Sequence, residues 1–177
     1  MKKIVFTFAL CIVMGFAANA QKYACVSTEY ILSNIPEYDE AQKKLDQYSI
    51  DWQKEIESKF QEIDKLYKSY QSEEYLLPED LKIKRQDEII AKEKEAKDLQ
   101  KKRFGKDGDL TKKREELIKP IQDRVFTAID EYAKEKGYAF VFDVAGSMTI
   151  IYADPKWDIN DQIMQKLGIS AGDELDD

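Results

Sequence analysis

Asp107 and Asp109 bracket Gly108 in the stretch RFGKDGDLTKKREE (Arg103–Glu116), and carboxylates so close to two glycines raise the question of a metal or phosphate site. An EF-hand loop with Gly108 in its sixth place would need oxygen ligands at Arg103, Gly105 and Arg114, where no side chain supplies one. A phosphate loop needs a preceding strand and a Ser or Thr after Gly-Lys; both are missing. A G-x-x-G nucleic-acid clamp needs a KH fold and a positive setting, and this chain carries a net charge of −7. The sequence contains no His, which removes His-based acid–base catalysis, Ser-His and Cys-His nucleophile pairs and the commonest zinc ligand together. The carboxylates that remain are spread along surfaces rather than paired in a pocket, so neither catalytic residues, metal nor cofactor are expected.

The chain start describes a secretory leader. Lys2 and Lys3 precede an apolar run from Ile4 to Phe16, and Ala18-Asn19-Ala20 gives an A-x-A exit before Gln21. Residues 1–20 are therefore expected to be removed on export. The apolar run is too short for a permanent anchor, and Leu10 before Cys11 is too bulky for a lipidation site. Loss of Lys2 and Lys3 from the 28 basic residues leaves 26 against 35 acidic ones. Such a balance speaks against nucleic acid as a partner. Cys25 is then the one cysteine left, unable to close an internal disulfide and best read as a small buried apolar residue.

Stepping along the mature chain, residues 21–36 predict a strand, Lys22–Thr28, and a short helix capped by Thr28. Residues 37–119 predict an arm. From Tyr38 through Ala41, Leu45, Tyr48, Trp52, Ile56, Phe60, Ile63, Tyr67 and Tyr70 the apolar steps are three or four, which places one stripe along a long helix. The four-residue steps around Trp52 interrupt a strict heptad. Leu76-Leu77-Pro78-Glu79 is a tip, with Pro78 opening a return helix, so the two helices form an antiparallel hairpin. At 1.5 Å per residue the arm is on the order of 60 Å long. Folding back at Pro78 sets Gly105 and Gly108 beside Ile50–Trp52. Residues 120–168 predict a helix end, a buried strand Tyr138–Phe142, a turn Val144–Met148, a second strand Thr149–Ala153 forming a β-hairpin, and a short helix capped by Asp158. Residues 169–177 predict an acidic, disordered tail. The fold class is α+β, predominantly α: a small β body with a long helical hairpin. A body of three or four strands is too small to bury enough surface alone, so an oligomer is expected.

At this point the chain resembles the OmpH/Skp family of periplasmic chaperones for outer-membrane proteins. The resemblance rests on the leader, on YACVSTEYILSNIPEYDEAQKKLD, on the charged helical middle, and on LIKPIQDRVFTAIDEYAKEKGYAFVFD followed by IIYADPKWDINDQIMQKLG. It implies a trimer whose strands assemble a barrel-like body, with three helical tentacles around a cavity. It further implies ATP-independent holding of unfolded outer-membrane proteins, with no catalytic residue. Family members can carry strongly basic arms; this acidic chain departs from that, so lipopolysaccharide binding is not carried over.

Three residue sets follow as expectations. Client contact is assigned to Tyr67, Tyr70, Tyr75, Leu76 and Leu77, for which packing of the helix pair is the competing role. The oligomer core is assigned to Cys25, Val26, Phe140, Val141, Phe142, Ile150 and Ile151. Gly105 and Gly108 are read as a bend in the arm, since Gly costs a helix interior about 1 kcal/mol relative to Ala. A structural or scaffolding coiled coil of the cell envelope is the alternative function; interrupted heptads and aromatic stripe residues favour the chaperone.

Overall fold

The computed structural model describes residues 21–146 and 150–169; the expected leader, residues 147–149 of the expected hairpin and the tail from 170 lie outside the described residues. Two compact units divide the chain: one takes both chain ends, through Ile31 and from Val125, and the other is Leu32–Arg124.

In the first unit β1 (Lys22–Val26) and β2 (Tyr138–Asp143) form a two-stranded parallel sheet, Tyr23 lying opposite Phe140, Ala24 opposite Val141 and Cys25 opposite Phe142. Because paired residues of neighbouring strands share a face, the sheet has two distinct sides. Ala24 and Val26 are buried on one, together with Ile31, Val125, Ala128, Ile159, Ile163 and Met164 of the same unit. Tyr23, Cys25, Phe140 and Phe142 occupy the other. On the buried side four large side chains, Ile31, Val125, Ile163 and Met164, are fully buried. At about 1.5–3 kcal/mol each they make a meagre core against an ordering cost of about 1–2 kcal/mol per residue.

The expected β-hairpin is corrected. Ile150–Ala153 form no strand, and Ile151 is 96% exposed. β1 uses its second edge for a bridge from Cys25 to Asp158, with Ile159 N donating to Cys25 O at 3.0 Å. With no core of the single chain to enter, the apolar side chains of Ile151 and Tyr152 provide nothing that offsets the entropy of ordering the segment.

The helices are α1 (Thr28–Ser33), α2 (Pro36–Glu73), α3 (Glu79–Phe104), α4 (Asp109–Leu117), α5 (Lys119–Lys136) and α6 (Asn160–Lys166). Pro36 opens α2 at the first helical position, where its missing N–H costs nothing. No Gly or Pro follows until Pro78, so α2 runs unbroken for 38 residues. A 3-10 turn, Glu74–Leu76, makes the tip. α3 then starts with Glu79 and Asp80 and ends with Lys101, Lys102 and Arg103, charges that match its dipole at both ends. The expected single return helix is three: it breaks at Gly105–Gly108 and again at Ile118.

Candidate functional site

Four features of the two units carry chemistry or surface. The first is the side-to-side asymmetry of the arm. Glu55, Glu62 and Glu73 of α2 are spaced by seven and eleven residues, which returns them to nearly one face of the helix. Arg103, Lys92 and Arg85 of α3 repeat that spacing in reverse. The three pairs meet at 3.1, 3.2 and 3.8 Å and sew one flank of the hairpin. Ile63, Tyr70, Ile89 and Ala96 fill the seam between the helices, with Leu66 and Leu77 packed against them.

The opposite flank is apolar and bare. Phe60 and Tyr67 of α2, and Ile83 and Ile90 of α3, are each one heptad apart and all exposed, Ile90 at 62%. They lie well round each helix from the ion pairs. Tyr75, 81% exposed, and Leu76, 69% exposed, continue the apolar surface at the tip. Charges between them close on each other locally, Lys68 on Asp64 at 2.6 Å and Lys97 on Glu93 at 3.7 Å, so the flank carries little net field.

The residues assigned to client contact therefore separate. Tyr67, Tyr75 and Leu76 are surface. Leu77 is half-buried against the seam cluster. Tyr70 is corrected to a core role: it is buried, its hydroxyl donates to Glu74 Oε1 at 3.1 Å, and it accepts from Gln86 Nε2 at 2.7 Å. The stripe read from sequence was wider than one partner helix can cover, which is why Tyr48, Phe60 and Tyr67 remain exposed while Ala41, Leu45, Ile56 and Ile63 are buried. Ile83 and Ile90 escaped sequence reading because they sit outside the seam spacing of Ile89 and Ala96.

The second feature is the aromatic face of the sheet. Tyr23, Cys25, Phe142, Ile150, Tyr152, Ala153, Asp154 and Trp157 line an open cleft of about 370 Å³. Tyr23 packs on Trp157 at 5.3 Å and Phe140 stacks on Phe142 at 6.2 Å. Burial, aided by the charge of Asp158, pushes the Cys25 thiol up from its ordinary value, so the group is a neutral lining atom. Of the residues assigned to the oligomer core, Cys25, Phe140, Phe142 and Ile150 surround this face and Ile151 lies wholly in water. Val26 is corrected: it is buried inside the chain's own core, and Val141 shares the side of its register partner Ala24. The alternation of a strand sends odd and even positions to opposite faces, so consecutive residues such as Cys25 and Val26 cannot share one interface.

The third feature is a polar clamp that ties β1 to the chain's C-terminal half. Asp143 accepts from Thr28 Oγ1 at 2.6 Å, Thr28 N at 3.1 Å and Ala145 N at 3.0 Å. Asn160 Oδ1 accepts from Ser27 N at 2.7 Å, and Asp158 Oδ1 accepts from Asn160 N at 2.7 Å. Burial pushes the Asp143 carboxyl up, and the bonds from Thr28 and Ala145 more than offset this, leaving it below the usual carboxylate range. Thr28 is thus the donor to Asp143 rather than the helix cap; Ser27 Oγ caps α1 by accepting from Tyr30 N at 3.2 Å. The segments FVFD and DIN supply the two acceptors.

The fourth feature is the break itself. A Cβ on Gly105 would lie 2.3 Å from Lys101 O, and one on Gly108 would lie 2.8 Å from Lys102 O and 2.9 Å from Arg103 O. Backbone meets backbone there, which admits no side chain. The interrupted heptad around Trp52 leaves α2 unbroken at this level, and only the return limb is cut. Among the described residues no group of three or more Cys, Asp or Glu could hold a metal ion, and no helix is long and apolar enough to cross a membrane.

Comparison with known proteins adds three findings. An uncharacterized protein of Aquifex aeolicus (strain VF5) is 30% identical over 160 residues, covering 90% of this chain and 94% of that protein. The crystal structure of a Caulobacter crescentus CB15 protein described as an OmpH-like outer membrane chaperone shares the fold, with a TM-score of 0.66 at 12% identity over 85% of this chain and 86% of that one. The family profile described as outer membrane protein (OmpH-like) matches residues 22–167, the whole span from the start of β1 to the end of α6. The two-stranded sheet, the long helical hairpin and that match together place the chain in the OmpH-like family of outer membrane proteins.

Proposed function

We propose that the mature chain is an ATP-independent holdase chaperone of the periplasm, which binds unfolded outer-membrane proteins between helical arms and keeps them from aggregating. The observation that carries this reading is the bare apolar flank of the arm, Phe60, Tyr67, Ile83 and Ile90 leading to Tyr75 and Leu76. Hairpin packing leaves these side chains in water, and their local charges are self-neutralised, so they suit extended apolar segments whatever the client's net charge. Each contact is weak, and many acting together hold the client. The mechanism uses no catalytic residue and no cofactor.

The aromatic sheet face supports a homo-trimer as the working state: a unit with so small a core gains from burying Tyr23, Phe140 and Phe142 against copies of itself. The break at Gly105–Gly108 acts as a joint in the return limb, about which α2 flexes as clients of different size are taken in. Light scattering tests the reading. The signal-free protein, in stoichiometric amounts, keeps a urea-diluted outer-membrane barrel protein from scattering; failure with several unrelated barrels removes the holdase and favours the scaffolding coiled coil.

A further inference from the structure

Arg103 sits in the last turn of α3, immediately before the break. Its Nη1 donates to Asp109 Oδ2 at 2.7 Å, and Asp109 is the first residue of α4, on the far side of the break. Its Nη2 and Nε donate to Glu55 Oε2 of α2 at 3.1 and 3.3 Å. The guanidinium lies 4.8 Å over the ring of Trp52, also of α2, and that ring meets Phe104 edge-on at 6.5 Å. One side chain thus touches both cut ends of the return limb and the unbroken helix beside them. The other bonds at the break are short-range: Gly105 N to Lys101 O at 2.8 Å, Gly108 N to Gly105 O at 2.9 Å and Lys112 N to Gly108 O at 3.1 Å along the backbone, and the Thr111 hydroxyl to Lys106 O at 3.0 Å.

We propose that Arg103 is the latch of the joint: by joining Glu55, Trp52 and Asp109 it carries stiffness across the break, and releasing it lets the arm bend at the level of Trp52. The proposal rests on the reading of Gly105–Gly108 as a joint. Arg is suited to the task because its planar fork reaches two carboxylates while stacking on a ring, which Lys cannot reproduce. Only about a fifth of the Arg103 side chain is exposed, whereas Glu55 is 41% exposed, so the Glu55 link is the one that salt screens. The latch therefore loosens as ionic strength rises.

Pulsed electron paramagnetic resonance tests this on the assembled protein, diluted with unlabelled chains, with spin labels at Gln71 and Glu115 in a Cys25→Ser background. Those positions lie on the order of 40 Å apart along the arm. The latched protein gives one narrow distance, and Arg103→Met broadens it about twofold, as when one arrangement becomes several. Arg103→Lys falls between, and Asp109→Asn broadens like Arg103→Met. Raising salt from about 0.1 M to about 1 M broadens the unsubstituted protein and leaves Arg103→Met unchanged. Helicity and thermal midpoint are followed in parallel, since a merely structural loss would lower them without this salt pattern. Equal, narrow distances in both proteins overturn the joint itself; equal, broad distances keep the joint and overturn the latch.

Discussion

Arg103 of α3 and Asp109 of α4 are joined at 2.7 Å across the four residues that separate their helices. The two charges also complement the helix ends on which they stand, a cation at the C-terminus of α3 and an anion at the N-terminus of α4. A break with these partners is a built feature of the arm, and its glycines serve close backbone approach rather than an unusual φ: Gly105 has φ −64° and Gly108 φ −77°.

Gly108→Ala is therefore expected to lower stability by about 1–3 kcal/mol, the usual cost of forcing atoms into filled space. Thermal or denaturant unfolding reads this directly. An unchanged midpoint would show that the break relaxes freely. Because the clash is with main-chain oxygens, alanine here tests packing, and the joint is better tested through Arg103.

Phe142→Asp is expected to dissociate the assembly while leaving each chain folded, since Phe142 faces the open cleft and not the chain's own core. Val141→Asp is expected to unfold the unit, because Val141 shares the side of buried Ala24. Sedimentation equilibrium and circular dichroism separate the two outcomes. A Phe142→Asp protein that sediments as the original would remove the aromatic face from the interface.

Loss of the clamp has its own signature. Asp143→Asn or Thr28→Val is expected to cost about 1–2 kcal/mol, toward the low end for bonds to a charged group because Asp143 is partly solvated. The folded-state value of Asp143 is depressed, so its contribution is present above the unfolded value of about 3.9 and is lost as pH falls below it, through the folded value. Stability measured from pH 6 downward, taken as about pH 6 to about pH 2, should fall less steeply for Asp143→Asn than for the unsubstituted protein below about pH 4. Parallel curves would contradict the clamp's charge.

The helical hairpin and its tip were legible because periodicity reports directly on burial: Ala41, Leu45, Ile56 and Ile63 fall where the spacing puts them. Their neighbours Tyr48, Phe60 and Tyr67 fit the same spacing and are exposed, because spacing does not reveal how much width a single partner helix covers. Strand pairing was less legible. β1 and β2 are joined in parallel by residues 116 or 117 positions apart in sequence, such as Ala24 and Val141, and nothing local encodes that choice. The clamp was hidden for the same reason. Asp143 and Asn160 become partners of Thr28 and Ser27 only when both chain ends meet. Arg103 looked like one charge among many until Trp52, Glu55 and Asp109 converged on it.

Replacing Tyr75, Leu76, Ile83 and Ile90 together by Ser is expected to raise the chaperone concentration needed for half-protection of a client about tenfold, equivalent to ~1.4 kcal/mol of binding. The melting temperature should barely move, since all four are exposed. Tyr70→Ser is expected to do the reverse, lowering stability by about 3 kcal/mol with little direct effect on client contact, because its ring fills the seam.

Site-specific photo-crosslinking reads most directly which flank of the arm meets the client. A benzophenone side chain placed at Ile90, on the bare apolar flank, should crosslink an unfolded outer-membrane barrel protein in good yield at both low and high salt. The same group at Glu62, on the flank sewn by Lys92, should give little. Equal yields from both flanks, or a stronger signal from Glu62, would contradict the apolar flank as the holding surface.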